Sequence, residues 1–318
     1  MKKLMSLAFA VIAAVIGYVV VQNGGLKNLP INLGSAPPAT NPAGPPPPRA
    51  TDTIRVATWN IQVFGESKLA DAAVMNVIVK VLRNFDVVAI QEVRAQSQDI
   101  LPQLVAMLNA DGRSHYDYVI GPRLGRTNSK EQYAFVFDLA SIEVDRNQLY
   151  TINDPDDLLH REPLVGWFRA RSTSPQQAFT FSLVNVHTDP DEVDRELDVL
   201  DDVFFAVRDD QRREDDVILL GDFNVNDKHL GQLGQISGLA RVVSNNTPTN
   251  TKQNAQYDNI FFHSVATPEY TGRGGVYDFL REFNLTVDQA LKVSDHFPVW
   301  AEFSVFEGGL PGPLAARP

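Results

Sequence analysis

The chain has 318 residues, of which 44% are hydrophobic and 21% are charged, enough apolar content for one large globular core or two modest ones. It contains no cysteine, which excludes disulfides, thiolate zinc sites and thiol nucleophiles. All 39 acidic residues lie after residue 50, together with 24 of the 28 basic residues, so residues 51–318 carry a net charge of −15. Such a surface should bind nucleic acid poorly unless cations mediate the contact.

The first fifty residues predict an export or anchoring segment, residues 1–21, and a linker, residues 22–50. Lys2 and Lys3 precede a mostly apolar stretch that ends at Val21, and the proline-rich sequence APPATNPAGPPPP follows. No small-x-small cleavage site follows Val21, which favours an uncleaved membrane anchor over a cleaved signal peptide or a buried core helix. We therefore expect an exported catalytic domain outside the cytoplasm, or a secreted one if the segment is cleaved.

From residue 51 onward, apolar β-rich runs alternate with amphipathic stretches, which predicts an α/β layered architecture. Strands are predicted at 54–59, 86–92, 133–137, 163–168, 179–186, 216–222, 259–262 and 297–303, and helices at 68–83, 98–109 and 191–207. We expect each half of the chain to supply one sheet, with catalytic residues at strand ends along one rim. The domain should span 51–306, followed by a disordered tail at 307–318.

Five short segments place polar side chains just after or before these strands: TWNIQ (58–62), QEV (91–93), VNVH (184–187), GDFN (221–224) and SDHFP (294–298). A site that hydrolyses a phosphodiester must neutralise charge, deprotonate water and protonate the leaving oxygen. The carboxylates of Glu92, Asp222 and Asp295 are hard oxygen donors suited to Mg²⁺ or Ca²⁺.

The remaining polar residues of these segments suit the same chemistry. Asn60 and Asn224 can hydrogen-bond phosphoryl oxygens without adding negative charge, and His187 and His296 can move protons near neutral pH. The pattern therefore predicts a metal-dependent phosphodiesterase.

The GDFN segment also has the D-x-N-x-N spacing that begins an EF-hand calcium loop. That interpretation fails at loop positions six and twelve, where Asp227 and Leu233 stand in place of the required glycine and glutamate.

In the order N…E…H…D-x-N…D-H, residues 53–304 resemble deoxyribonuclease I within the endonuclease/exonuclease/phosphatase superfamily. The segments that carry the resemblance are WNIQVFGESK, VAIQEVR, LGRTNSKEQYAFVF, HREPLV, VNVHTDPDE, LLGDFN, QYDNI and SDHFPV. The resemblance implies a four-layer α/β/β/α sandwich, two packed mixed β-sheets flanked by helices, which agrees with the pattern of predicted elements.

The resemblance also implies catalytic roles. His296 would be the general base, oriented by Asp258, and His187 the general acid, oriented by Glu131. The divalent cation, Mg²⁺ or Mn²⁺ with Ca²⁺ as an alternative, would be held by three carboxylates: Glu92, Asp222 and Asp295. The scissile phosphate would be positioned by Asn60, Asn224 and Arg161, the last through a guanidinium fork that matches phosphate oxygens. Water would attack in line and leave a 5′-phosphate and a 3′-hydroxyl.

Further positions match family sites more loosely. Arg94 resembles the arginine that reaches the DNA minor groove, and Thr249 and Thr251 match threonines near more distant phosphate contacts. Asp157 and Glu162 fall where the family has a structural calcium site.

Two positions depart from the family pattern in a way that affects the substrate. Gln62 stands where the family has an arginine, and Ser129 stands where it has a tyrosine that stacks against a deoxyribose. Losing a charge and a stacking platform predicts weaker duplex binding, a stronger dependence on divalent cation, or a preference for single strands.

The leading hypothesis is a monomeric, anchored or exported, Mg²⁺- or Ca²⁺-dependent endonuclease that degrades double- or single-stranded DNA and meets the membrane only through its N-terminal segment. One alternative is a phosphodiesterase acting on sphingomyelin, a phosphoinositide or another substrate that is not nucleic acid. The REP and LGR-x-x-x-K-E segments resemble the nuclease specifically and weigh against it. Another is a catalytically silent binding module, which the seven intact core positions disfavour.

Overall fold

The computed structural model describes residue 48 and residues 52–127, 130–172, 174–212, 214–244 and 247–309. The predicted anchor at 1–21, all of the linker except Pro48, Ser129 and residues 310–318 of the predicted tail lie outside these residues. Within the described residues, no helix is both long enough and apolar enough to cross a membrane. Regular structure continues past the expected domain end at Phe306, because Glu307–Gly309 form a short 3₁₀ helix.

Two six-stranded sheets form the centre of the described domain. In chain order their strands are β1 (Thr53–Phe64), β2 (Val87–Val93), β3 (Tyr116–Ile120), β4 (Gln132–Asp138), β5 (Ile142–Thr151), β6 (Leu164–Ala170), β7 (Thr180–His187), β8 (Val217–Asp222), β9 (Leu239–Arg241), β10 (Asp258–His263), β11 (Tyr270–Val276) and β12 (Val299–Ser304). The orders are β11-β12-β1-β2-β4-β3 and β5-β6-β7-β8-β10-β9. Both sheets are mixed, because β1 is parallel to β2 and β7 to β8 while their other neighbours pair antiparallel.

The expectation that each half of the chain supplies one sheet is wrong at the C-terminus. Strands β11 and β12 return to the first sheet, where β12 pairs antiparallel with β1. The physical reason lies in β1, whose residues from Ile54 to Asn60 are buried on both faces. A strand buried on both faces belongs inside a sheet, and β12, buried along its whole length, satisfies its second edge.

Seven helices of the described residues lie on the outer faces of the sheets. They are α1 (Glu66–Leu69), α2 (Ala72–Leu82), α3 (Ile100–Leu108), α4 (Val193–Leu197), α5 (Leu200–Arg208), α6 (Phe279–Glu282) and α7 (Val287–Val293). Buried residues of α2 and α3 share a core with the first sheet, and those of α4 and α5 share a core with the second. The structure has two helices, α4 and α5, where the sequence predicted one at 191–207.

Aromatic side chains fill the space between the two sheets. Phe135 of β4 meets Phe168 of β6 edge to face with ring centroids 5.2 Å apart, and Phe179 stacks on Phe303 of β12 at 5.8 Å. Each such buried ring contributes about 2 kcal/mol through removal of apolar surface from water. The helix–sheet–sheet–helix order confirms the predicted α/β/β/α sandwich.

Candidate active site at one rim of the sandwich

Asp222, the last residue of β8, lies at the centre of the candidate site. The residue before it must be glycine, because a Cβ on Gly221 would lie 1.9 Å from the carbonyl oxygen of Val186 on β7. This close approach of β8 to β7 places Asp222 beside His187. Asp222 is 1% exposed, and its Oδ2 atom lies 3.6 Å from Nε2 of His187 and 3.5 Å from Nε2 of His296.

His187, the last residue of β7, forms a buried pair with Glu131. Its Nδ1 atom lies 2.7 Å from Oε1 of Glu131, so Nε2 faces Asp222. Burial alone would lower the pKa of His187, but the Glu131 carboxylate raises it above the ordinary value. Burial would raise the pKa of Glu131, but His187 and Arg161 hold it below its usual range.

His296 forms a second pair of the same kind with Asp258, the first residue of β10. Its Nδ1 atom lies 2.9 Å from Oδ2 of Asp258, an oxygen that also accepts a 2.7 Å hydrogen bond from the hydroxyl of Thr249. Burial would lower the pKa of His296, but the carboxylates of Asp258 and Asp222 raise it to about 10. Both histidines therefore present Nε2 to Asp222 and turn Nδ1 to a carboxylate of their own.

Asn60 joins the two sheets across this rim. Its Nδ2 atom donates to Oε1 of Glu92 at 3.2 Å and to Oδ2 of Asp222 at 3.1 Å. Glu92 has a φ of +62°, a left-handed conformation that costs a residue other than glycine about 1 kcal/mol or more. Its Oε2 atom accepts a 2.7 Å hydrogen bond from the backbone of Val63, which fixes the bent end of β2.

The three carboxylates that sequence reasoning assigned to a cation lie at this rim, but among the described residues Glu92 and Asp295 do not join Asp222 in one group of ligand atoms within 4.8 Å. Asn60 links Glu92 to Asp222, and Asp295 is 42% exposed with Oδ1 3.8 Å from Nε2 of His296. Ligand atoms of Asp222, Asp258 and His296 also lie within 4.8 Å of one another. Carboxylate oxygens dominate this donor set, which fits a hard divalent cation such as Mg²⁺, Mn²⁺ or Ca²⁺.

Asn224 and Arg161 hold the segment that follows β7. Asn224 donates from Nδ2 to the carbonyl of Thr188 at 2.8 Å, and Arg161 donates to the carbonyls of His187 and Thr188 at 3.2 Å each. Arg161 is 6% exposed and also pairs with Glu131 at 3.4 Å. Their contact with a scissile phosphate stays a prediction.

The predicted DNA contacts lie around the site with different exposure. Arg94 is 26% exposed and pairs with Glu92 at 3.1 Å and with Glu131 at 3.5 Å. Thr249 and Thr251 are buried, and the hydroxyl of Thr251 donates to the carbonyl of Ser294 at 2.7 Å. Both threonines support the catalytic loops, and a DNA contact by any of the three residues stays a prediction.

The two residues proposed for a structural calcium are Asp157 and Glu162. Asp157 is 73% exposed and pairs with Arg126 at 3.1 Å. Within the described ranges, Asp157 and Glu162 do not belong to a cluster of three carboxylate or histidine ligands. Calcium at this position stays a prediction.

Lys68, on α1, was not expected in the site. Its Nζ atom donates to the carbonyls of Ile61 at 2.7 Å, Val293 at 2.8 Å and Gln62. Burial lowers the pKa of Lys68 to about 8, against the opposing effect of Asp295. Lys68 ends the WNIQVFGESK segment, but lysines usually lie on the surface, and the segment alone does not show that this one is half-buried and bonded to three main-chain carbonyls.

Ser294 is a second residue that sequence reasoning missed. It is fully buried, donates from Oγ to the carbonyl of Asn60 at 2.6 Å, and accepts from the backbone of His296 at 3.0 Å. Its hydroxyl thus ties the end of β1 to the loop that carries Asp295 and His296. The SDHFP segment contains it, so the motif itself was the available signal.

Two adjoining cavities open beside His296. One of about 300 Å³ is lined by Asn250, Lys252, Asn254, Tyr257, Asp295 and His296. The other, of about 550 Å³, is lined by Asp194, Asn224, Val225, Asn226, His229, Asn254, Ala255, Gln256 and Tyr257. Because Asn254 and Tyr257 belong to both, the two cavities form one polar groove that leads to His296.

The sandwich and the two histidine–carboxylate pairs at its rim are features of an α/β/β/α hydrolase. The sequence profile of the Endonuclease/Exonuclease/phosphatase family matches residues 57–296, well over half of the chain, so the chain belongs to that family. Deoxyribonuclease gamma of Rattus norvegicus is 32% identical over 262 residues, 78% of this chain and 83% of that protein. Deoxyribonuclease-1-like 1 of Cricetulus griseus is 34% identical over 267 residues, 80% of this chain and 85% of that protein.

These relatives confirm the resemblance to deoxyribonuclease I, and with the family they indicate a hydrolase of phosphodiester bonds. Solved structures confirm the fold. A humanized TDP2 of D. rerio matches with a TM-score of 0.55 and 17% identity, covering 80% of this chain and 100% of that chain. The human Nocturnin catalytic domain matches with a TM-score of 0.53 and 16% identity, covering 80% and 94%.

Proposed function

We propose that this chain is a divalent-cation-dependent endonuclease that hydrolyses DNA and leaves 5′-phosphate and 3′-hydroxyl ends. The observation that carries the proposal is the pair of histidines whose Nε2 atoms lie 3.5 and 3.6 Å from Asp222, each backed by its own buried carboxylate. In-line hydrolysis needs one group that removes a proton and another that supplies one. The deoxyribonuclease relatives support DNA as the substrate.

Each histidine has a definite role in the proposal. Nε2 of His296 takes a proton from the attacking water, and Asp258 stabilises the imidazolium that forms. Nε2 of His187 gives its proton to the leaving 3′ oxygen, and Glu131 keeps that imidazole charged until then. Asn60, placed between Glu92 and Asp222, offers an amide to the phosphate.

Glu92, Asp222 and Asp295 would hold Mg²⁺ or Mn²⁺, with Ca²⁺ as an alternative, and a bound cation would neutralise phosphate charge in the transition state. The electrostatics of the rim support this dependence. Carboxylates raise the pKa of His296 to about 10, so His296 can act as a base near neutral pH only when the negative charge around it is reduced.

The walls of the groove favour nucleic acid over a lipid. Amide, imidazole and carboxylate side chains dominate the two cavities beside His296. Acyl chains need apolar walls, whereas a sugar–phosphate chain makes hydrogen bonds along its length.

We further propose that the enzyme is a monomer, that residues 1–21 attach it to a membrane, and that its catalytic domain acts outside the cytoplasm.

The test is cleavage of supercoiled plasmid, single-stranded DNA, RNA and sphingomyelin by the full chain with Mg²⁺, Mn²⁺, Ca²⁺ or chelator. We expect cation-dependent nicking of DNA, reduced at least about 10²-fold in His296→Ala and in His187→Ala. His115→Ala, which removes an exposed histidine away from the rim, is the matched control and should keep full activity. Near-normal nicking by either rim variant would refute the acid–base assignment. Hydrolysis of sphingomyelin alone would move the substrate to a lipid.

A further inference from the structure

A second group of carboxylates lies at the opposite end of β8 from the catalytic rim. Asp216 directly precedes β8, Glu269 directly precedes β11, and Glu307 follows β12. Their ligand oxygens lie within 4.8 Å of one another. Strand β8 rises about 3.3 Å per residue, which separates Asp216 from Asp222 by about 20 Å. This cluster, Asp216–Glu269–Glu307, is therefore distinct from the candidate active site.

Two of the three carboxylates, Asp216 and Glu269, are buried, and no basic side chain of the described residues pairs with the cluster. Asp216 and Glu269 are each 1% exposed. Both carboxylate oxygens of Asp216 and Oε2 of Glu269 lack hydrogen-bond partners among the described residues. Within the same ranges, no ion pair joins Asp216, Glu269 or Glu307 to a lysine, arginine or histidine. A buried carboxylate without a partner is strongly unfavourable, so the arrangement requires protons or a cation.

Backbone donors occupy only one oxygen of each glutamate. Glu269 accepts from the backbone of Gly308 through Oε1, and Glu307 accepts from the backbone of Thr180 through Oε2 at 3.2 Å. These hydrogen bonds fix one oxygen of each side chain, and one oxygen of each residue lies within 4.8 Å of an oxygen of Asp216. The buried hydroxyl of Thr267 lies beside Asp216 and favours its charged form, although it makes no hydrogen bond of normal geometry within the described part of the chain, so it adds a neutral oxygen to the cluster.

Neighbouring acids make the cluster more negative. Glu214 accepts from the backbone of Asp216 at 3.1 Å and from the indole of Trp167 at 3.1 Å, and Asp215 is exposed. Burial and repulsion by Glu269 raise the pKa of Asp216 to about 9, and burial raises the pKa of Glu269 to about 7. Both pKa values are raised because burial and neighbouring carboxylates disfavour the charged forms of these groups.

We propose that Asp216, Glu269 and Glu307 bind a structural divalent cation of the calcium class. Carboxylate and hydroxyl oxygens are the ligands that Ca²⁺ takes, and its flexible coordination tolerates an irregular set. Asp216 directly precedes a strand of the second sheet, whereas Glu269 and Glu307 flank strands of the first. The cation clamps the two sheets together at the end away from the catalytic histidines. This inference does not depend on the proposed substrate.

The test compares thermal unfolding of the full chain at pH 8 in chelator and in CaCl₂. We expect calcium to raise the Tm of the wild type by about 5 °C and that of Asp216→Asn by less than half as much. Calorimetric titration with CaCl₂ should show one site fewer in Asp216→Asn. The matched control is Asp99→Asn, which removes an exposed carboxylate that makes no capping hydrogen bond, and it should keep the full rise.

Calcium bound at the catalytic rim raises the Tm of the wild type and of each variant equally. The difference in the rise in Tm between variants therefore reports on the cluster alone. If Asp216→Asn keeps the wild-type rise in Tm and the same number of sites, the proposal is wrong and shared protons stabilise the carboxylates. If Asp216→Asn does not fold, Glu307→Gln provides the same comparison because Glu307 is exposed. A full calcium response in Glu307→Gln with no site lost would then overturn the proposal.

Discussion

The two rim histidines share one design but have different neighbours. Glu131 divides its carboxylate between Nδ1 of His187 and the guanidinium of Arg161, at 2.7 and 3.4 Å. Among the described residues, the charged groups within 4 Å of the His296 ring nitrogens are the carboxylates of Asp258, Asp222 and Asp295. The guanidinium of Arg161 opposes the effect of the carboxylates and lowers the pKa of His187. This suits an acid that must release its proton.

The Glu131–His187 pair should therefore have a characteristic effect on stability. Glu131→Gln leaves a buried imidazole and Arg161 without their carboxylate, which we expect to cost about 3–5 kcal/mol. The lowered pKa of Glu131 contributes stability above its unfolded value of 4.5, and this is lost as pH falls. The raised pKa of His187 contributes stability below its unfolded value of 6.5, and this is lost as pH rises.

Urea unfolding at pH 3.5, 5.5 and 9 checks this prediction. The difference between wild type and Glu131→Gln should be largest near pH 5.5 and smaller at both extremes. Glu143→Gln, which removes a half-buried carboxylate paired with Arg169, should cost much less at every pH. A difference for Glu131→Gln that does not change with pH would show that the pair contributes through packing rather than charge.

At the scale of elements, the site depends on two short connections. Lys68 on α1 binds main-chain carbonyls at the end of β1 and at Val293, the last residue of α7. Ser294 follows α7 and joins Asn60 to the backbone of His296. Helix α7 itself begins at a capping box formed by Thr286 and Gln289. The end of β1 and the loop that carries Asp295 and His296 are thus held by Lys68 and Ser294 through main-chain hydrogen bonds.

Lys68→Met should show how much the hydrogen bonds of Lys68 contribute to catalysis. The substitution keeps an unbranched side chain but leaves the carbonyls of Ile61, Gln62 and Val293 without their donor. We expect kcat for plasmid nicking to fall about tenfold, with KM nearly unchanged, because misplacement of catalytic groups affects the transition state. Lys80→Met, at an exposed position on α2, is the control. Wild-type kcat in Lys68→Met would show that other contacts position the rim.

The strands that the sequence predicted share a place in the fold. All eight lie inside the two sheets, and the four that it missed, β3, β5, β9 and β11, are the four edge strands. A central strand is covered on both faces and has a nearly continuous apolar run, as in β8, which is wholly buried. Edge strand β5 is half-exposed and polar, and β11 contains three glycines, so neither shows that pattern.

Local sequence pattern predicted the site residues at strand ends but not their partners from distant parts of the chain. His187 and Asp222 each end an apolar strand and Glu92 is the last but one residue of another, so local pattern placed them at one rim without knowledge of the topology. The partner of each histidine lies far away in sequence, 56 residues from His187 and 38 from His296, and only the family resemblance supplied it. The hydrogen bond from Lys68 to Val293 of α7 joins residues more than two hundred positions apart, which no local pattern contains.

At the scale of the whole molecule, charge opposes the proposed activity. Residues 51–318 carry a net charge of −15. Such a surface repels a polyanion and offers few basic side chains whose contacts with phosphates would release counterions. Gln62, where the family has an arginine, lies beside the rim, and its backbone donates to the side chain of Asn60 at 2.9 Å. The next residue, Val63, is 52% exposed, so this turn is open to a long substrate.

Gln62→Arg should therefore strengthen binding to duplex DNA. One added phosphate contact should steepen the dependence of log affinity on log salt concentration by about 1. Binding of the His296→Ala background to a short duplex, measured from 50 to 200 mM salt, gives this slope without cleavage. Gln176→Arg adds the same charge at an exposed position before β7, at the end opposite to His187, and should change the slope little. Equal slopes for the two variants would mean that Gln62 does not face the DNA backbone and that net charge alone governs binding.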